Sequence, residues 1–416
     1  MKHLLLSFFC SVFLFNAGNA QNAACDGTRF KGPVFTQVKK TTVDYAPAPN
    51  FAELAATGAD TVILQMDVYE PVGDNAVARP VVILAHGGSF IFGNKTDMKA
   101  DCERFAKAGY VAVSIQYRLF PLLVLGFPDS TSIVGTVVKS VGSMKAAVRY
   151  FRQDASTVNL FKADTAHIFI GGYSAGSVCA LHTAYLSETD MITPYVQNAL
   201  DLNGSFEGDA GTVQNRTYSS RISGVYNRSG GLYSNQWINE GNVPMVSIHG
   251  TADDVVFYES GLAAGIAYLE GTGKLHPRAL EVGVSSYLET AIGGDHVNMY
   301  AAGSPYAAQY INFQVKAFEK FESITCGVTG VHDMQILTGD LKIFPNPAVD
   351  AVRLDLSGRT APAQVWITDM KGQLVRSISA YQSGAAIPVT DLPAGVYSVQ
   401  VIWENGDVQV GQLVRE

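Results

Sequence analysis

The stretch Ile168-Phe169-Ile170-Gly171-Gly172-Tyr173-Ser174-Ala175-Gly176, with Ser177 to Tyr185 behind it, decides the fold. Its first residues read as a strand buried on both faces, and Ser177 to Tyr185 reads as a helix. A serine on so tight a strand-to-helix turn needs neighbours without bulk, because Cβ atoms would collide there; Gly172 and Gly176 meet that demand. Working outward, Val81 to Ala85, Val111 to Ile115 and Val243 to Ile248 are further short apolar runs. Between them, Asp97 to Ala108 and Ile133 to Gln153 carry charges and apolar residues at helical spacing. Strands alternating with such helices predict an α/β fold with a mainly parallel central sheet covered on both sides. Chemistry in such a fold belongs at the carboxyl ends of the strands, where Ser174 stands.

A second loop follows a buried run in the same way. His86-Gly87-Gly88-Ser89-Phe90 comes directly after Val81 to Ala85, and small residues let its main chain bend toward a reacting oxygen. The N–H groups of Gly88, Ser89 and Ala175 are the candidate donors to a developing oxyanion. His86 and Gly87 are read as support for that loop. A serine nucleophile also needs a base and a group to orient it, expected later in the chain. His249-Gly250-Thr251-Ala252-Asp253-Asp254 follows a buried run, so either carboxylate can take the orienting role; Asp253 is preferred over Asp254. Gly293-Gly294-Asp295-His296 puts a histidine in a glycine-rich loop, making His296 the candidate base. Phe90, Tyr173, Phe257 and Met299 are candidate apolar contacts for a substrate, and the region from Met191 to Trp237 is a candidate for shaping the cleft. The chain shows no insertion that reads as a lid. His167, His182, His276 and His332 form no zinc-type spacing, and there is neither a phosphate loop nor a dinucleotide fingerprint. No metal and no cofactor are expected.

Composition bounds the remaining possibilities. The chain has 416 residues, 47% hydrophobic and 16% charged, with 29 Lys plus Arg against 37 Asp plus Glu and a formal charge of -8. An acidic chain without a basic tract offers no phosphate footprint, which argues against nucleic acid as a partner. Met1-Lys2-His3, the apolar run Leu4 to Phe15 and the small residues Gly18 and Ala20 predict a signal peptide over 1–20, with Gln21 as the mature start. No later segment is apolar for long enough to span a bilayer as a helix. Four cysteines remain after that cut, namely Cys25, Cys102, Cys179 and Cys326, and they allow three full pairings among which the sequence does not choose. Cys179 also reads as a core thiol.

The texture changes after Cys326. Residues 327–340 read as a linker between a catalytic domain over 21–326 and a small all-β sandwich over 341–416. Short strands are expected at Val352 to Leu356, Ala363 to Thr368, Leu374 to Ser379, Val396 to Trp403 and Val408 to Leu413, separated by turn residues. In the fourth, Tyr397, Val399, Val401 and Trp403 share one face.

These motifs together resemble the carboxylesterase-type α/β-hydrolases. The resemblance covers about residues 60–325 and rests on Leu84 to Phe90, Tyr117-Arg118, Gly172 to Gly176, His249 to Asp253 and Asp295-His296. Within that superfamily the chain is most similar to the group typified by bifunctional acetylxylan and feruloyl esterases. The resemblance implies Ser174 as nucleophile, His296 as base, Asp253 as its partner, and Gly88 and Ser89 in the places of the last two glycines of His-Gly-Gly-Gly. Ser89 departs from glycine there, keeping the N–H but adding a side chain. The implied activity is hydrolysis of short-chain or carbohydrate-linked esters, acetyl or feruloyl, with an extracellular lipase or polyester hydrolase, or a serine exopeptidase of the same fold, as alternatives. The nonenzymatic alternative is a glycan-binding or adhesion protein on a lapsed hydrolase scaffold.

The C-terminal residues resemble the type A sorting domain of the type IX secretion system of Bacteroidetes, through Ile343 to Pro347, Thr368 to Gly372 and Asp391 to Tyr397. That likeness implies the secretion machinery as a partner. It also implies export through the periplasm to the cell surface or the medium.

Overall fold

The computed structural model describes residues 24–49, 61–301, 303–327, 341–356, 363–369, 374–403 and 408–416. The signal peptide expected at 1–20 lies outside them, as do the linker expected at 327–340 apart from Gly327, and Met370 to Gly372. Along the catalytic region run β1 (Val38–Pro49), β2 (Thr61–Pro71), β3 (Arg79–Ala85), α1 (Lys99–Lys107), β4 (Val111–Ile115), α2 (Leu122–Leu125), α3 (Ser130–Ser156), β5 (Ala163–Tyr173) and α4 (Ala175–Tyr185). They continue as α5 (Pro194–Leu202), β6 (Gly224–Arg228), β7 (Gly231–Leu232), β8 (Met245–Gly250), β9 (Ser260–Ala263), β10 (Ala267–Gly271), α6 (Thr272–Glu281), β11 (Ser286–Ala291) and α7 (Ala307–Cys326).

Eight strands form one sheet in the order β1-β2-β4-β3-β5-β6-β8-β11. Only the β1–β2 and β2–β4 pairings are antiparallel; every pairing from β4 onward is parallel. The apolar runs are continuous because both faces are covered. Successive side chains on a strand point to opposite faces, so Val81, Ile83 and Ala85 of β3 join one core with Met144, Phe151 and Val178 from α3 and α4. Val82 and Leu84 join the other, with Phe105 of α1 and Phe313, Phe318 and Phe321 of α7. This is an α/β-hydrolase core. The long helix α3 starts on a capping box, in which the Asp129 carboxylate accepts from the Ser132 N–H and the Ser132 hydroxyl reciprocates at the Asp129 N–H.

Sheet order carries the pieces of the site to one edge. The loops after β3, β5, β8 and β11 all leave the carboxyl ends of parallel strands, so they converge although their sequences are far apart. A disulfide joins Cys25 to Cys326, across 301 residues, while Cys102 and Cys179 are buried free thiols. The bond ties the segment before β1 to the end of α7. Closing so long a loop restricts the unfolded chain, an effect worth about 2–5 kcal/mol. Reduction, or Cys326→Ser, is therefore expected to lower the melting temperature of the catalytic region by roughly 5–15 °C; calorimetry with and without reductant checks this.

The C-terminal region forms two further sheets, β12 (Lys342–Phe344), β13 (Ala351–Asp355) and β16 (Ile387–Pro388) in one, and β14 (Ala363–Asp369), β15 (Leu374–Tyr381), β17 (Gly395–Ile402) and β18 (Val408–Arg415) in the other. Val352 and Leu354 from the first share a core with Val365, Ile367, Val399 and Val401 from the second, which makes a small sandwich. The short strands β12 and β16 carry too little alternation to be read from sequence. Tyr397, Val399, Val401 and Trp403 are all buried, as their alternation predicts.

Candidate active site

Ser174 stands between β5 and α4 with φ at 53°, a left-handed conformation that a non-glycine residue adopts only when its surroundings impose it. The imposition is visible. The Ser174 N–H donates to the Arg228 carbonyl at 2.9 Å, and a side chain on Gly176 would collide with the carbonyl of Ala85 in β3. The turn can be this tight only because that position is glycine.

The Ser174 hydroxyl lies 2.8 Å from His296 Nε2, and His296 Nδ1 lies 2.7 Å from Asp253 Oδ2. An aspartate accepts there, so Nδ1 carries the proton and Nε2 is free to accept from the serine. All three side chains are buried. The other carboxylate oxygen of Asp253 accepts from the Val255 and Val256 N–H groups at 3.0 and 2.9 Å. Burial pushes the Asp253 carboxyl up, but hydrogen bonds from His249 and His296 outweigh it and hold the group well below the usual carboxylate range. Asp253 therefore stays ionised beside the imidazole. Asp254, its neighbour in sequence, is exposed.

The loop after β3 lies against the serine turn. Gly88, Ser89 and Phe90 have φ values of 111°, 53° and 61°, three consecutive residues in left-handed geometry. A side chain on Gly88 would collide with the Phe92 carbonyl. The His86 ring is buried, stacks on Tyr117 at 4.4 Å between centroids, and lies with Nδ1 2.7 Å from the Gly87 carbonyl. Desolvation lowers its pKa, so it is a neutral brace. Ala175 opens α4, and the first N–H groups of a helix have no partner within it. Together with the positive end of the helix dipole they favour negative charge in front of Ser174.

Of the expected apolar contacts, Phe90 lines a cavity that begins at Ser89, Phe90, Ser174 and Ala175. The other three are elsewhere. Met299 is fully buried in the core behind the sheet, since that layer has to be filled by α7 and its approach. Phe257 is partly exposed, with its ring against Gly261. Tyr173 alternates to the opposite face from the cavity: its hydroxyl donates to the His296 carbonyl at 2.8 Å, and its ring stacks on His296 at 5.3 Å. It braces the histidine loop.

Two groups beneath the site escape a motif reading. His249 sits with Nε2 2.8 Å from the Val256 carbonyl and 3.4 Å from Asp253 Oδ2, and its Nδ1 is 2.8 Å from the Thr272 hydroxyl. It lies near the end of β8, directly after the apolar run Val243 to Ile248, which was the available signal. Arg228 is buried, forms an ion pair with Asp101 at 2.6 Å, and lies over the rings of Tyr173, Tyr300 and Tyr310 at 5.1, 4.9 and 5.6 Å. Without Arg228 the buried Asp101 keeps Arg104 at 3.1 Å and the Tyr226 and Tyr310 hydroxyls, so the loss is only part of the cost of a fully broken buried pair, about 1–3 kcal/mol. Arg228→Met is expected to lose that much in urea unfolding, and a variant as stable as wild type would refute the account.

Among the described residues no group of His, Cys, Asp and Glu could hold a metal ion, and no helix is long and apolar enough to cross a membrane.

Fold and geometry define a serine hydrolase of the α/β-hydrolase class. Residues 66–231 match the family model BD-FAE, and residues 342–415 match the model described as secretion system C-terminal sorting domain. The chain carries a carboxylesterase domain of the BD-FAE type joined to a type IX secretion sorting domain of type A, and it is an exported protein, secreted or held at the cell surface, with the secretion machinery as a partner. Similar solved structures include a thermophilic esterase from the planctomycete Thermogutta terrifontis with propionate bound, at 20% identity and a TM-score of 0.46 over 64% of this chain and 91% of that one. The same esterase with butyrate bound matches at 19% identity and a TM-score of 0.45, over 62% of this chain and 88% of the other. The BD-FAE match and the hydrogen-bonded line from Ser174 to Asp253 are together those of a carboxylic ester hydrolase of the serine type.

Proposed function

We propose that Ser174 is the nucleophile, His296 the general base and Asp253 its orienting partner, in the hydrolysis of small or carbohydrate-linked carboxylic esters outside the cell. The observation that carries this reading is the continuous hydrogen-bonded line from Ser174 Oγ through His296 to Asp253. As Oγ bonds to the ester carbonyl carbon, its proton passes to His296 Nε2. The N–H groups of Gly88, Ser89 and Ala175 stabilise the oxyanion, which needs donors fixed in advance. The C–O bond to the alcohol then breaks, and His296 gives that oxygen the proton. Water repeats the sequence on the acyl-serine and frees the acid. A carbohydrate alcohol is favoured by the BD-FAE match together with export.

The test compares purified full chain on p-nitrophenyl acetate and butyrate, acetylated xylooligosaccharide and methyl ferulate with its action on aminoacyl p-nitroanilides. Release from esters with none from the amides is expected. Amide release without ester release would move the assignment to an exopeptidase.

A further inference from the structure

The cavity at Ser174 extends well beyond the reacting carbon. On α4 its wall is Ala175, Val178 and His182, one face of the helix at spacings of three and four residues. Ser174 precedes that helix and His182 lies near its end, so the cavity follows α4 for about 12 Å at a rise of about 1.5 Å per residue. A second wall is a stripe of α3 that includes Val137, Val138 and Val141. Leu200 of α5 and Trp237 close it further on.

Two polar groups deep in its wall are already engaged. The His182 ring has Nδ1 2.8 Å from the Val178 carbonyl, while Nε2 accepts the Tyr233 N–H at 3.3 Å. Burial pushes its pKa down to about 4, which keeps it neutral. The ammonium of Lys145 donates to the Phe206 carbonyl at 2.5 Å and to Glu207 at 3.2 Å. A polar substituent on a bound chain would displace these partners, whereas a hydrocarbon chain would not.

The side of the ester that enters is decided by His296. The leaving alcohol has to sit at His296 Nε2 to receive its proton, and that nitrogen stands at the Ser174 end of the cavity, 2.8 Å from Oγ, whereas the apolar walls run on from there along α3, α4 and α5. The acyl half therefore points into it. Resting on the ester-hydrolase reading above, we propose that the cavity is an acyl-chain site selecting unbranched saturated chains of about six to ten carbons, the extended length that about 12 Å accommodates. His182 and Trp237 set the far limit, and Val178 stands midway as the residue that governs chain length.

The test is kcat/KM of the full chain on p-nitrophenyl acetate, butyrate, hexanoate, octanoate and laurate, with Ser174→Ala as the blank. Each methylene buried in an apolar wall is worth up to about fourfold, so octanoate is expected to exceed acetate by at least about tenfold, with a decline at laurate. Val178→Trp blocks the middle of the cavity and is expected to lower the octanoate-to-acetate ratio by at least about tenfold. Ser174-dependent turnover that is best on acetate and declines with every added carbon would overturn this inference and leave the esterase reading standing. So would a Val178→Trp enzyme whose ratio is that of wild type. Absence of Ser174-dependent release from every ester would instead bring down the esterase reading and this inference with it. The wild-type profile decides the question even if Val178→Trp does not fold.

Discussion

Ser174→Ala is expected to lower kcat on p-nitrophenyl butyrate by on the order of 10⁵-fold or more while leaving the fold intact. The nucleophile is the only atom that forms a bond to the substrate, so the acyl-enzyme route closes completely when Oγ is removed. What remains is the reaction of water near the oxyanion donors and the base, a small residual rate. Stability should change little, because alanine fits the space of serine and the strained turn is held by neighbours. Those neighbours are the Arg228 carbonyl, which accepts the backbone N–H of residue 174, and the close approach of Gly176 to β3. Burst kinetics together with a thermal melt check both halves. Retention of more than a few per cent of the turnover would falsify the assignment of Ser174.

Asp253→Asn is expected to cost about 10³- to 10⁴-fold in kcat, and Asp254→Asn no more than a few-fold. An asparagine can present its amide N–H to His296 Nδ1, which stabilises the tautomer with the proton on Nε2. The serine then faces a donor instead of an acceptor. The carboxylate also stabilises the imidazolium formed as the proton moves, and the amide does not. Because Asp253 is buried and held ionised by its hydrogen bonds, its negative charge is present throughout the neutral pH range. Asp254 is exposed, so its charge is screened by solvent. Kinetics of the two variants side by side separate these roles, and a larger loss at residue 254 would exchange them.

Several parts of this molecule are local properties and therefore readable along the chain. The continuous apolar runs of β3, β4 and β8 follow from burial on both faces of a parallel sheet. The glycines around Ser174 and Ser89 follow from the backbone geometry demanded there. The aromatic contacts were less legible, because an aromatic beside a motif loop has the same appearance whether it faces substrate, core or a catalytic loop. Phe90 faces the cavity, Met299 fills the core and Tyr173 braces His296. The cavity itself was invisible as a lid or insertion, since its walls come from α3, α4 and α5 and the β9–β10 hairpin, none of which is unusual alone.

The sequence by itself determined the α/β class, the strand-to-helix turn at Ser174 and the sorting domain, because each depends on residues within a few positions of one another. Tertiary structure alone decided which of two adjacent aspartates meets His296, 43 residues away, and which cysteines pair across 301. It also brought His296 to Ser174 over 122 residues and turned valines on separate helices into one apolar channel. Such contacts are set by strand order and by which face of each helix packs inward. A chain position carries no record of its partner until the sheet has closed.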